Sequence, residues 1–96
     1  MNGEEMMSRF KVVIRGHGLW ISLDDEVQRV EFYVARHVDA ADSEEAARKA
    51  LELVGEDPKA QPEPGYPPPT LSVDDIEPSS AALHPQPGFA FYPDPE

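Results

Sequence analysis

Cysteine is missing from all 96 positions, which excludes disulfides, thiolate zinc sites, dithiol redox motifs and thiol nucleophiles together. Basic residues are scarce as well. Eight Lys and Arg stand against 19 Asp and Glu, a formal net charge of −11, and that balance repels nucleic-acid phosphates and anionic membranes at long range. No stretch approaches the ~20 apolar residues of a membrane-spanning helix, and residues 1–7 contain no basic region followed by an apolar one, so neither a span nor a secretory signal is expected. A soluble protein of the cytoplasm, with no nucleic acid or membrane among its partners, is the reading that follows. A chain this short forms one domain and buries only ~60–65% of the surface its unfolded form exposes. A deep enclosed active site is therefore hard to build.

What is present is distributed unevenly. Every Lys and Arg lies at or before Lys59, whereas residues 60–96 carry six acidic residues and ten of the eleven prolines. The composition changes near Pro58, and the chain divides accordingly. Residues 1–8 read as a disordered start, 9–78 as the folded domain with a Pro-rich loop over 56–69, and 79–96 as an extension that docks on the domain.

Phe10, Val12 and Ile14 alternate with Lys11, Val13 and Arg15, the period of a half-buried strand. Gly16-His17-Gly18 interrupts the alternation before Leu19, Ile21 and Leu23 resume it, which predicts a bulge or bend. Asp24-Asp25-Glu26 makes a polar turn, and Val30, Phe32, Val34 and Val38 continue the pattern, so the two runs form a β-hairpin. Asp42 or Ser43 caps a helix with Glu45 three residues beyond Asp42. Its apolar stripe is Ala46, Ala47, Ala50, Leu51, Leu53 and Val54, Glu44–Arg48 and Glu45–Lys49 pair on its exposed side, and Gly55 stops it ahead of Pro58. Prolines 62, 64, 67, 68 and 69 forbid helix or central strand and favour an extended loop. Residues 70–76 return as a third strand with Leu71 and Val73 buried, and Pro78 ends it. After a second loop over 79–88, Phe89 and Phe91 share one side of a short terminal strand that docks, because two Phe side chains on a free tail would be sticky.

These elements define an α+β fold with a small, mainly antiparallel sheet. The chain order is β-β-α-β plus a short C-terminal strand, with one helix on one face. The connection through the helix places the third strand beside the first and parallel to the second, in sheet order 2-1-3.

The opening Phe-Lys-Val-Val-Ile-Arg strand, the Val-Glu-Phe-Tyr-Val-Ala-Arg-His-Val-Asp-Ala strand, the Ser-Glu-Glu-Ala-Ala-Arg-Lys-Ala-Leu-Glu-Leu-Val helix and the ending Gly88-Phe89-Ala90-Phe91-Tyr92-Pro93 together resemble small bacterial proteins of unknown function. The likeness covers most of the chain. It implies the same β-β-α-β pattern and a terminal Gly-Phe-x-Phe-Tyr-Pro segment, and no activity.

Groups with catalytic or ligating chemistry do not fall into a motif. His17, His37 and His84 are far apart and show no HxH or HxxxH spacing. Asp24-Asp25-Glu26 and Asp74-Asp75 lack the ligand spacing and central Gly of a calcium loop. There is no Gly-x-Ser-x-Gly elbow, phosphate-binding loop or dinucleotide fingerprint. Pro64-Gly65-Tyr66-Pro67 satisfies PxxP without a flanking cation, and a stiff connector explains it. No catalytic, cofactor-binding or metal residue is assigned, and the protein is not expected to be an enzyme. One helix covering one face of a three-stranded sheet leaves the other face open. Trp20, Tyr33, His37, Phe89, Phe91 and Tyr92 are therefore the candidate interaction surface, for a protein partner or a homodimer. Two alternatives stand beside that reading. One is an acidic immunity- or inhibitor-type protein that binds a basic partner, and the other is a small-ligand or metal-binding accessory domain around His17, Trp20 and His37.

Overall fold

A computed structural model describes residues 7–79 and 88–94. The chain order is β1 (Ser8–Leu23), β2 (Glu26–Ala40), α1 (Ser43–Gly55), a single 3₁₀ turn (Pro58–Ala60), β3 (Thr70–Pro78) and β4 (Ala90–Pro93). Most of the N-terminal segment read as disordered, and the loop that contains His84, lie outside the described residues.

The alternation read from the sequence becomes one long hairpin. Its turn, Asp24-Asp25, has φ of 51° and 68°. Two consecutive left-handed residues match the right-handed twist of the flanking strands, and Asp tolerates that conformation better than most residues. The hairpin sets the long dimension of the molecule, 56 Å against 23 and 21 Å.

The four strands lie in the order β3-β1-β2-β4, and every neighbouring pair is antiparallel. Read from the β2 side, the first three strands stand in the expected order 2-1-3, with β3 beside β1 and parallel to β2; the full order differs from the expected one by its fourth member. The C-terminal segment is an integral fourth strand on the far side of β2, where Phe91 pairs with Phe32 and Tyr92 with Glu31. On β3 the pairing with β1 shifts between Val13 and Ile14, opposite Asp75 and Val73 respectively. Asp74 is thus an extra residue in a bulge, and it allows Ile76 to join Leu71 and Val73 against the core where strict alternation would have pointed Asp75 inward.

Asp42 caps α1 by accepting a hydrogen bond from the Glu45 N–H at 2.9 Å, and Glu45 Oε1 accepts from the Ala41 N–H at 2.7 Å. The first bond satisfies a donor that the helix start leaves over, and the second ties the Glu45 side chain back to the residue before the cap. Ala46, Ala50 and Val54 are the buried stripe, but Leu53 is 50% exposed. At about 100° per residue, Leu53 lies roughly a quarter-turn off a stripe centred between Ala50 and Val54. The helix ends at Gly55 without a left-handed cap. Gln61 donates its amide to the Gly55 carbonyl at 2.9 Å instead.

The core is the helix-side face of the hairpin: Val12, Ile14, Leu19, Val30, Phe32, Val34, Val38 and Ala40, closed by Ala46, Ala50, Val54 and Ala60. The helix is only ~20 Å long, less than half the hairpin. Ala60 in the Pro-rich loop and Phe89 beside Phe32 extend the cover. That loop is anchored as well, by a 2.8 Å hydrogen bond from the Glu63 N–H to the Trp20 carbonyl and by Tyr66 stacked on Trp20, with ring centroids 5.1 Å apart.

Candidate functional site

The Gly16-His17-Gly18 segment is a true β-bulge: Gly16 pairs with Phe32, the next pair is Leu19 with Val30, and the register shifts between them. Its two glycines serve different ends. A Cβ on Gly16 would lie 2.3 Å from the Phe32 ring, so only a bare Cα leaves that ring its place. Gly18 has open space around it but φ of +75°, a backbone state that glycine adopts freely. The bulge also turns the Gly18 N–H out of the hairpin ladder, and it donates to Asp94 Oδ2 at 2.8 Å. The Asp94 side chain is 1% exposed, with Arg29 Nε at 3.7 Å, and its own N–H donates to the Arg29 carbonyl at 3.3 Å.

The other anchor of the C-terminal segment is Arg36. It occupies an inward position of β2, directly across from Val12. Its guanidinium donates to the Ala35 carbonyl at 2.9 Å, meets Asp57 Oδ2 at 3.2 Å and stands 5.6 Å from the centre of the Phe89 ring. Asp57 Oδ1 accepts from the Lys59 N–H and so caps the 3₁₀ turn. One cation therefore ties together β2, the loop that follows the helix and the segment that leads into β4. Phe89 and Phe91 stack 5.7 Å apart, both against Phe32 at 5.0 and 6.0 Å.

The face away from the helix is a ladder of ion pairs. Arg9 meets Asp39 at 2.9 Å, Lys11 meets Glu77 at 3.9 Å and Arg15 meets Glu31 at 2.9 Å. Cations on β1 alternate with carboxylates on the flanking strands. The hydrogen bond from Arg9 holds the Asp39 carboxyl below its ordinary value, while that from Arg9 to Asp39 and that from Arg15 to Glu31 raise the two guanidinium groups.

The six candidate residues fall into three places. Phe89 and Phe91 lie on the helix side beside Phe32. Tyr33 and Tyr92 meet edge-on, 6.1 Å apart, on the other face, where His37 sits opposite Lys11. Trp20 lies toward the hairpin turn under Tyr66. His17 pairs with Thr70 on β3. Lys11 and His17 are six residues apart on one strand, so His17 and His37 are separated by roughly 20 Å and are not brought together around one ion. Among the described residues no three His, Asp or Glu side chains group as metal ligands, and no helix is long and apolar enough to cross a membrane. Sequence reasoning missed Arg36, Asp94 and Tyr66. Arg36 is visible as a charge in the otherwise apolar column 30, 32, 34, 36, 38. Asp94 and Tyr66 give no local signal.

No protein family, curated protein or solved structure matches the chain.

Proposed function

We propose that the protein is a non-enzymatic interaction or assembly module of the bacterial cytoplasm, and that it meets its partner through the β4 edge of the sheet. One observation carries this reading. A strand of only four residues, held by β2 on one side, presents Phe91 38% exposed and Tyr92 49% exposed, one on each face of the sheet. Aromatic rings at a rigid edge offer large contact area with little entropy left to lose, which is why such residues dominate interface energetics. The short length and Pro93 limit open-ended strand addition, so side chains rather than a ladder make the contact. Sedimentation velocity over a concentration series, with chemical cross-linking in lysate, tests it: association is expected for the natural chain and lost with Phe91→Ser and Tyr92→Ser. A strict monomer with no cross-linked partner at either edge residue removes the reading.

A second reading, an acidic antagonist of a basic surface, is favoured by the net charge of −11 together with carboxylates at a helix end that repels them. The same edge and that helix end can serve one partner.

A further inference from the structure

The second reading gains a specific surface from the last turns of α1. An open depression of ≈ 340 Å³ lies between the helix and the outer edge of β2, lined by Val38, Asp39, Lys49, Glu52, Leu53 and Glu56. Leu53 is half exposed beside it, so its wall is apolar while its rim is acidic. The rim breaks two local rules at once. Glu52 and Glu56 are like charges at i, i+4, which repel along a helix, and they stand at the C-terminal end, where the macrodipole favours cations. The last turn contains no basic residue. The donor that the chain offers to the Gly55 carbonyl is the neutral amide of Gln61. Lys49, the cation in the lining, is engaged at the β2 side of the depression: its Nζ donates to the Asp39 carbonyl at 2.7 Å and stands 3.9 Å from Glu45. Solubility would be served equally by carboxylates in the first turn, where Glu44 and Glu45 already stand with the dipole. Departures from local consistency of this kind concentrate at functional surfaces.

We propose that this depression seats a cationic, leucine-flanked segment of a protein partner, with Lys or Arg between Glu52 and Glu56 and an apolar side chain against Leu53. The assignment rests on the acidic-antagonist reading above. A second copy of the chain is a poor occupant, because each of its Lys and Arg residues other than Lys59 already stands within 3.9 Å of a carboxylate of its own chain, and it would bring a further charge of −11. The net charge steers a basic segment inward, and the apolar wall gives the contact its register.

The test titrates the isotope-labelled full chain with a synthetic peptide of Lys-Leu-Leu-Lys repeats and follows amide shifts and affinity. Shifts concentrated on Val38 and residues 49–56 are expected. Glu52→Lys with Glu56→Lys should weaken binding by about tenfold or more while raising the melting temperature of the free chain, since it sets cations at the negative end of the helix dipole and lowers the net negative charge. Leu53→Ser should weaken binding about fivefold. Asp74→Lys with Asp75→Lys makes the same change in net charge on β3 and should weaken binding less than about threefold. Equal losses for the two charge reversals, shifts spread along β3, undiminished binding of a Lys-Ser repeat peptide, or no binding at all each overturn the proposal. If the β4-edge variants abolish partner cross-linking while the peptide leaves the helix end unmoved, this inference fails and the edge reading stands.

Discussion

Replacing Gly16 by Ala puts a methyl carbon 2.3 Å from both Cε2 and Cζ of Phe32, far inside van der Waals contact. The ring is fully buried, and Phe89 and Phe91 stand against it at 5.0 and 6.0 Å, so it cannot swing aside without displacing the segment that carries β4. Overpacking of this kind costs about 1–3 kcal/mol. Losing a glycine from the unfolded chain returns about 0.4–1 kcal/mol, which leaves a net destabilisation between about 0 and 2.6 kcal/mol, centred a little above 1. For a domain of this size each kcal/mol lowers the melting temperature by roughly 4–8 °C. Gly18→Ala is the comparison, since it meets nothing within 4 Å but must hold φ near +75°, a backbone penalty of about 1–2 kcal/mol. Urea denaturation of both substitutions, each in the natural and the Phe32→Leu background, separates the two causes. In the Phe32→Leu background the Gly16 penalty should largely disappear, a non-additivity expected of residues in contact, and the Gly18 penalty should persist. A Gly16→Ala penalty undiminished by the smaller side chain refutes the steric argument.

Asp94→Ala removes the acceptor of the Gly18 N–H, a charge-assisted bond worth about 1.5–3 kcal/mol. Hydrogen exchange at residues 90–92 should accelerate about ten- to hundredfold while the β1–β2 amides stay protected, and unchanged exchange in β4 would show that the bond does not hold the strand. Acid sensitivity has an identifiable contributor in Asp39, whose carboxyl Arg9 holds below its ordinary value of 3.8. A depressed carboxylate contributes stability that is fully present above the unfolded value and lost as the pH falls through the folded one. Asp39→Asn should therefore flatten the urea midpoint against pH below about 4, and an unaltered acid limb would count against the pair.

Much of the hairpin is legible in the sequence because its information is local. Phe10 through Ile14 and Val30 through Val38 alternate cleanly, and Asp42 with Glu45 marks the helix start by residue type and spacing alone. What escapes a reading of the sequence depends on distant residues. Nothing near Asp74 announces a bulge: it is required because Val73 and Ile76, three apart, must reach the same face over β1. Leu53 falls at the margin of a wide apolar stripe, whereas small residues at Ala46 and Ala50 bring the helix close to the sheet and narrow the buried strip. Docking of the terminal segment follows from its two Phe residues, but its place outside β2 follows from Arg36 reaching Phe89 and Gly18 reaching Asp94, a contact across 76 residues.

That last contact explains why bulge and terminal strand belong together. A β-bulge leaves backbone donors without a ladder partner, and such a donor turned inward must find an acceptor. Here the acceptor is a carboxylate with 1% of its side chain in water, a group that is itself expensive to bury unless donors meet it. Each defect answers the other. A straight hairpin would leave Asp94 buried without the Gly18 N–H, and a detached β4 would leave that N–H without Asp94. The edge that presents Phe91 and Tyr92 is thus set by the shape of the first hairpin.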